Sequence, residues 1–164
     1  MKYTPHKQVP CKVNAHVDEG IKELVELFNS FENIETIESC QGNPEYNGKD
    51  GLEGKGLVIL DYYMDWRIME DTRECQLQAS EHLARFAQRI YQAIYEHDFG
   101  EKGWNLVSPD LIMSTYICME WGGFNMLQGD EKPHFGSLTL WFDNKHIKTL
   151  TEVIRKLRDE IHTV

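Results

Sequence analysis

The chain has no Cys-x-x-Cys pair: its four cysteines stand singly at positions 11, 40, 75 and 118. No local His or Cys spacing matches a tetrahedral site, so no metal centre is expected. Scattered cysteines of this kind read as reduced, mostly buried thiols of a cytoplasmic protein. No apolar run approaches the length of a membrane span, and the opening Met1–Gln8 carries no apolar signal-peptide core. No membrane partner is expected. Cations are also scarce, with 17 Lys and Arg against 27 Asp and Glu, a net charge of −10. Binding along a phosphate backbone needs clustered Lys and Arg, so generic duplex nucleic acid is excluded as a partner. The densest basic stretch, Lys145 to Arg158, is interleaved with Glu152 and followed by Asp159 and Glu160. That pattern predicts a solvated helix face. Glycine is frequent in Gln41–Gly56, but no Gly-Lys-Ser/Thr closes it, so it is not a phosphate loop.

What is present fits one soluble domain over 1–164, at 41% hydrophobic and 27% charged residues. Met1–Pro10 reads as an irregular arm and Lys12–Val17 as a first strand. Asp18 reads as a helix N-cap, and Ile21, Leu24, Val25, Phe28 and Phe31 then recur at helical spacing. Strands follow at Ile34–Cys40 and Leu57–Tyr63, with Asp61 pointing away from the Leu60 and Tyr62 side. Leu77–His97 reads as a long helix, Leu111–Trp121 and Ser137–Phe142 as strands, and a last helix follows an Asp143 cap. The loops Gln41–Gly56 and Gly122–Pro133 have the length of binding loops or lids. These elements predict an α+β layer sandwich, with helices on one face of a largely antiparallel sheet. The apolar stretch Leu111–Trp121 also offers an edge for a homodimer.

The most informative stretch is Ile34-Glu-Thr-Ile-Glu-Ser-Cys-Gln-Gly42. Extended backbone is favoured up to Glu38, and Gly42 with Pro44 then breaks it. A hydroxyl, a thiol and an amide are thereby delivered to a loop, where ligands are met. The plain alternative is a buried Cys beside a tight turn.

Together with Val17-Asp-Glu-Gly-Ile-Lys-Glu-Leu-Val-Glu-Leu-Phe-Asn29, this stretch resembles the opening of the wybutosine-synthesising protein 3 family. The shared positions are Asp18, Ile21, Leu24, Asn29, Thr36, Ser39, Cys40 and Gly42. Gln41 stands where that family has Ser, and Asn43 where it usually has Arg. The resemblance implies an α+β fold and methyl transfer from S-adenosylmethionine to a nitrogen of a modified guanine in phenylalanine tRNA.

Two functional classes follow. As an enzyme, the chain would use Ser39, Gln41 and Gly42 to hold S-adenosylmethionine against a nucleobase or small molecule. His16, Cys40 and Asp61 would supply the catalytic groups, sharing a pocket edged by a half-buried thiol. Glu120 and Trp121, with Tyr62, are further groups suited to a cationic donor. As a non-catalytic module, the chain would bind a ligand or a protein, with loop aromatics Tyr46, Phe124 and Phe135 as anchors.

Overall fold

A computed structural model describes residues 8–10, 16–42, 54–62, 72–100, 110–121 and 136–161. Strand β1 (Gln8–Pro10) pairs antiparallel with β2 (His16–Asp18), Val9 standing opposite Val17. A single 3-10 turn, Glu19–Ile21, leads into helix α1 (Lys22–Phe28). Strands β3 (Ile34–Cys40) and β4 (Lys55–Tyr62) follow, then the long helix α2 (Thr72–Phe99). Helix α3 (Asp110–Ser114), strands β5 (Tyr116–Trp121) and β6 (Gly136–Asp143), and helix α4 (Ile147–Glu160) complete the order. The main sheet runs β3-β4-β6-β5 and every pairing in it is antiparallel.

Pleating decides which side of the sheet is covered. Along β4, Gly56, Val58, Leu60 and Tyr62 are buried, while Leu57, Ile59 and Asp61 are half-buried on the other face. Register carries the buried row across to Leu138, Leu140 and Phe142 of β6. The helices lie on that row. Leu24, Val25 and Phe28 of α1, Leu83, Phe86, Ile90 and Ile94 of α2, and Leu150, Val153, Ile154 and Leu157 of α4 join the same core. Each set repeats at three and four residues, so each helix buries one stripe. Phe86 is the hub of the helix layer, meeting Phe31 edge-on at 4.9 Å and Phe28 at 6.3 Å. Burying each such side chain is worth about 1.5–3 kcal/mol, which makes this layer the main stabilising contact. The fold is therefore a single α+β domain, a four-stranded antiparallel sheet with helices on one face.

Gly56 has no room for a side chain, because a Cβ there would run into the Phe142 ring. In β3 the register slips between Thr36 and Glu38, leaving Ile37 as an exposed bulge residue. The extra residue keeps both Thr36 and Ser39 on the helix side, opposite Leu60 and Val58.

Several expectations need correction. The first ten residues are not wholly irregular, since Gln8–Pro10 forms a strand; its partner His16–Asp18 overlaps the strand expected over Lys12–Val17, of which residues 12–15 lie outside the described residues. The stretch Leu111–Trp121 is not one strand. Asp98 of α2 accepts the Ile112 N–H at 2.7 Å, holding a helical turn at Asp110–Ser114 before β5 starts. Neither Asp18 nor Asp143 makes a side-chain cap; both are engaged elsewhere, Asp143 in an ion pair with Lys55. The helix expected to begin at Leu77 begins at Thr72. The loop anchors Tyr46, Phe124 and Phe135, and most of both glycine-rich loops, lie outside the described residues.

Candidate functional site

At the end of β3, the Ser39-Cys40-Gln41-Gly42 turn meets the start of the α1 unit. Asp18, only 6% exposed at the end of β2, accepts the Gln41 N–H at 3.0 Å. The Gln41 side chain turns back, and its Oε1 accepts the Gly20 N–H at 2.8 Å. Gly20 has to be glycine for this, because a Cβ would occupy the Gln41 amide. The two ends of the β2–α1–β3 unit are thus tied by a pair of bonds that run in opposite directions along the chain. Each such bond contributes about 1 kcal/mol net, and more where burial would leave a partner unsatisfied.

The turn itself is shaped by Gly42. Its φ of 76° lies in the left-handed region, and its Cβ direction points straight at the Lys55 carbonyl. Only glycine satisfies both conditions. The Gly42 N–H donates to Cys40 Sγ at 3.4 Å. The same corner is fixed from the far side: Asn144 N–H donates to the Gly54 carbonyl at 2.7 Å, and Lys55 pairs with Asp143.

Cys40 is half-buried, as the sequence suggested. Its surroundings do not activate it. Burial pushes the thiol pKa up, the Gly42 N–H opposes this, and the charge and hydrogen bond of Asp18, with Glu38 beyond, push it up further. A nucleophilic cysteine needs the reverse, a nearby cation or helix N-terminus that favours thiolate. Here the thiol is held neutral as a donor to a carboxylate.

Of the expected group His16, Cys40 and Asp61, the last two are not brought together. Cys40 stands opposite Leu57, whereas Asp61 stands opposite Glu35 at the other end of β4. Four residues of strand separate the two positions, about 13 Å. Asp61 accepts the N–H of its neighbour Tyr62 at 2.9 Å. His16 lies two residues before Asp18 on β2, and its side chain is outside the described residues. Ser39 is half-buried opposite Val58. The carboxylate next to the thiol is instead Asp18, which sequence reasoning assigned to capping. Its place among the positions shared with the wybutosine-synthesising family was the available signal.

A second bonded pair lies deeper in the same unit. Asn29 ends α1, its Nδ2 donating to the Val25 carbonyl at 2.8 Å and to Thr36 Oγ1 at 2.9 Å. The Thr36 N–H donates back to Asn29 Oδ1 at 2.9 Å. With Ile21 and Leu24 fully buried, seven of the eight shared positions have structural work here: Asp18, Ile21, Leu24, Asn29, Thr36, Cys40 and Gly42. They build the helix-to-strand unit, whatever else they do.

The opposite end of the sheet carries Tyr62, which stacks on His82 of α2 at 4.7 Å with rings 5° from parallel. His82 is half-buried in this stack. Burial raises the Tyr62 pKa, a hydrogen bond with Asn33 opposes it, and the charge of Glu32 adds to it. Asn33 itself is held at φ 64°, in the left-handed region that asparagine tolerates best among residues with a side chain. The side chains of Glu120 and Trp121 are outside the described residues. Among the described residues, no three His, Cys, Asp or Glu side chains come together to hold a metal ion, and no helix is long and apolar enough to cross a membrane.

Compared with known proteins, the chain matches no family model, no curated sequence and no solved structure.

Proposed function

We propose that this protein is a non-catalytic binding module, and that the Ser39–Gly42 turn is a structural clasp within it. One observation carries the reading: the polar groups of the turn are bonded to one another and to Asp18 and Gly20, around a thiol held in its neutral form. A ligand entering there would have to displace fold-forming bonds. The surface offers better material for recognition. Among the described residues, Ile37, Leu77, Tyr91, Tyr95, Met113 and Tyr116 are large hydrophobic side chains left exposed. Tyr and Met are enriched at protein interfaces because they bury large area with few rotamers or adapt to irregular contacts. A protein is the partner class these side chains suit.

The second reading is methyl transfer from S-adenosylmethionine to a nucleobase or small molecule. It is favoured by the gathering of Asp18, Ser39, Cys40 and Gly42 at a single turn, since a buried carboxylate suits a cationic donor. The two readings separate in a thermal-shift titration with S-adenosylmethionine, its demethylated product and nucleosides. Binding to the native state raises the melting temperature as ligand exceeds Kd. The module reading expects no shift; a saturable shift with either cofactor form supports methyl transfer and overturns it.

A further inference from the structure

Four carboxylates around the surface are met by cations: Glu23 by Arg155, Asp143 by Lys55, Glu81 by Arg85 and Asp159 by Arg158. The end of α2 and the α3–β5 unit beside it are built differently. Across residues 90–100 and 110–121 stand Glu96, Asp98, Asp110 and Glu120, with no lysine or arginine. Asp98 is buried and engaged with His97 and the Ile112 N–H. The exposed Glu96 is bonded by the Gln92 side-chain amide at 2.9 Å, a neutral group. The last carbonyls of a 28-residue helix add their partial negative charge at this end.

Aromatic rings share the acidic end. Tyr91, Tyr95 and Phe99 follow one another at four-residue spacing, so they form one row along α2. The Tyr91 hydroxyl accepts the Ile117 N–H at 3.4 Å, which ties its ring to β5. Tyr95 and Phe99 meet at 4.6 Å with ring planes tilted by 36°. Tyr95 is nonetheless 48% exposed, and Glu96 is its neighbour in sequence. Met113 of α3 and Tyr116 of β5 are exposed on the adjoining elements, α3 being fixed to α2 through Asp98 and Ile112.

Aromatic faces beside carboxylates, with no lysine or arginine in the same segments, are complementary to a cationic side chain. The ring quadrupole attracts a cation above its face. Arginine suits this best, because its planar guanidinium stacks on a ring and also hydrogen-bonds to a carboxylate. An acidic partner is repelled, both by the local carboxylates and by the net charge of −10. A purely apolar partner would bury Glu96 without a counter-charge. Rings already held in position lose little freedom on binding.

We propose that the Tyr91–Tyr95–Phe99 row, with Glu96, docks an arginine-rich segment of a partner protein. This rests on the binding-module reading and gives its partner a chemistry.

The test is calorimetric titration of a short poly-arginine peptide into the full chain at physiological salt, with a poly-glutamate peptide of the same length as control. Saturable binding of the first and none of the second is expected. Tyr95→Ala is expected to weaken binding about two- to fivefold, the loss of one exposed cation–π contact, while Tyr95→Phe keeps the ring and the affinity. Glu96→Gln is expected to weaken it by a comparable factor. Glu152→Gln removes the same charge from the exposed face of α4 and is expected to leave the affinity unchanged, which separates docking here from the pull of the whole chain's charge. Tyr95, Glu96 and Glu152 are all exposed, so unchanged melting temperatures show that the variants are folded. A wild-type chain without saturable binding, or a Tyr95→Ala or Glu96→Gln variant that binds no worse than Glu152→Gln, overturns the inference. The module reading stands or falls separately, on the S-adenosylmethionine titration.

Discussion

Gln41 is bonded to both residues that open the α1 unit: its N–H reaches the Asp18 carboxylate and its side-chain oxygen takes the Gly20 N–H. This places the most reactive-looking stretch of the chain inside the framework. The thiol beside it belongs to the same knot, its pKa pushed up by burial and by the Asp18 carboxylate.

Gly42→Ala is expected to be the most damaging single change at the turn. The new Cβ meets the Lys55 carbonyl and the residue must keep φ at 76°. The left-handed conformation alone costs an alanine about 1–2 kcal/mol, and the backbone contact adds to it. Urea unfolding at unchanged m-value checks this; a loss under half a kcal/mol would mean the turn relaxes freely.

Asp18→Asn and Asp18→Ala separate hydrogen bonding from charge. Alanine leaves the Gln41 N–H without its acceptor and is expected to lose about 1–3 kcal/mol. Asparagine retains an acceptor oxygen and is expected to lose less. It also removes a charge that holds the thiol neutral, so alkylation of Cys40 by iodoacetamide should quicken near pH 8. Burial, the largest cause of the raised pKa, remains, so the change in rate is partial.

Cys40 also sets an alkaline limit. Its pKa in the fold lies above the ordinary 9.0, so folding favours the neutral thiol. The stabilisation is fully present below the unfolded value and is lost as pH rises through the folded one. Tyr62, raised above 10.0 mainly by burial, acts in the same direction at higher pH. Melting temperature is expected to fall above about pH 9, and Cys40→Ser is expected to remove the first part of that fall.

The Asn29–Thr36 pair is expected to couple measurably. A double-mutant cycle with Asn29→Ala and Thr36→Ala should give an interaction energy within about 0.5–3 kcal/mol. The Thr36 N–H survives Thr36→Ala, so additive losses would show that the Asn29 Nδ2 bond to Thr36 Oγ1 carries no stability of its own.

The layer architecture was legible because it depends on periodicity. The α1 stripe of Ile21, Leu24, Val25, Phe28 and Phe31 follows from residue type alone and is buried throughout, and Asp61 lies on the face opposite Leu60 and Tyr62. Positions set by long-range bonds were not legible. Asp18 carried a capping signal that its neighbours satisfied, yet its carboxylate is spent on Gln41, 23 residues away. Asp61 looked close to Cys40 because both border the same hairpin, but register places them at opposite ends of β4. The Leu111–Trp121 run looked uniform, yet the Asp98 carboxylate, from a different helix, takes the Ile112 N–H and helps to hold the helical turn that precedes the strand.

The central claim, that the Ser39–Gly42 turn is a clasp and not a methyl-transfer site, is tested most directly by calorimetric titration of S-adenosylmethionine into the wild-type chain and into Cys40→Ser. The account expects no heat of binding in either protein, and a melting temperature lowered in Cys40→Ser by loss of the thiol's packing. Saturable binding to the wild type that disappears in a Cys40→Ser variant of unchanged melting temperature would contradict it.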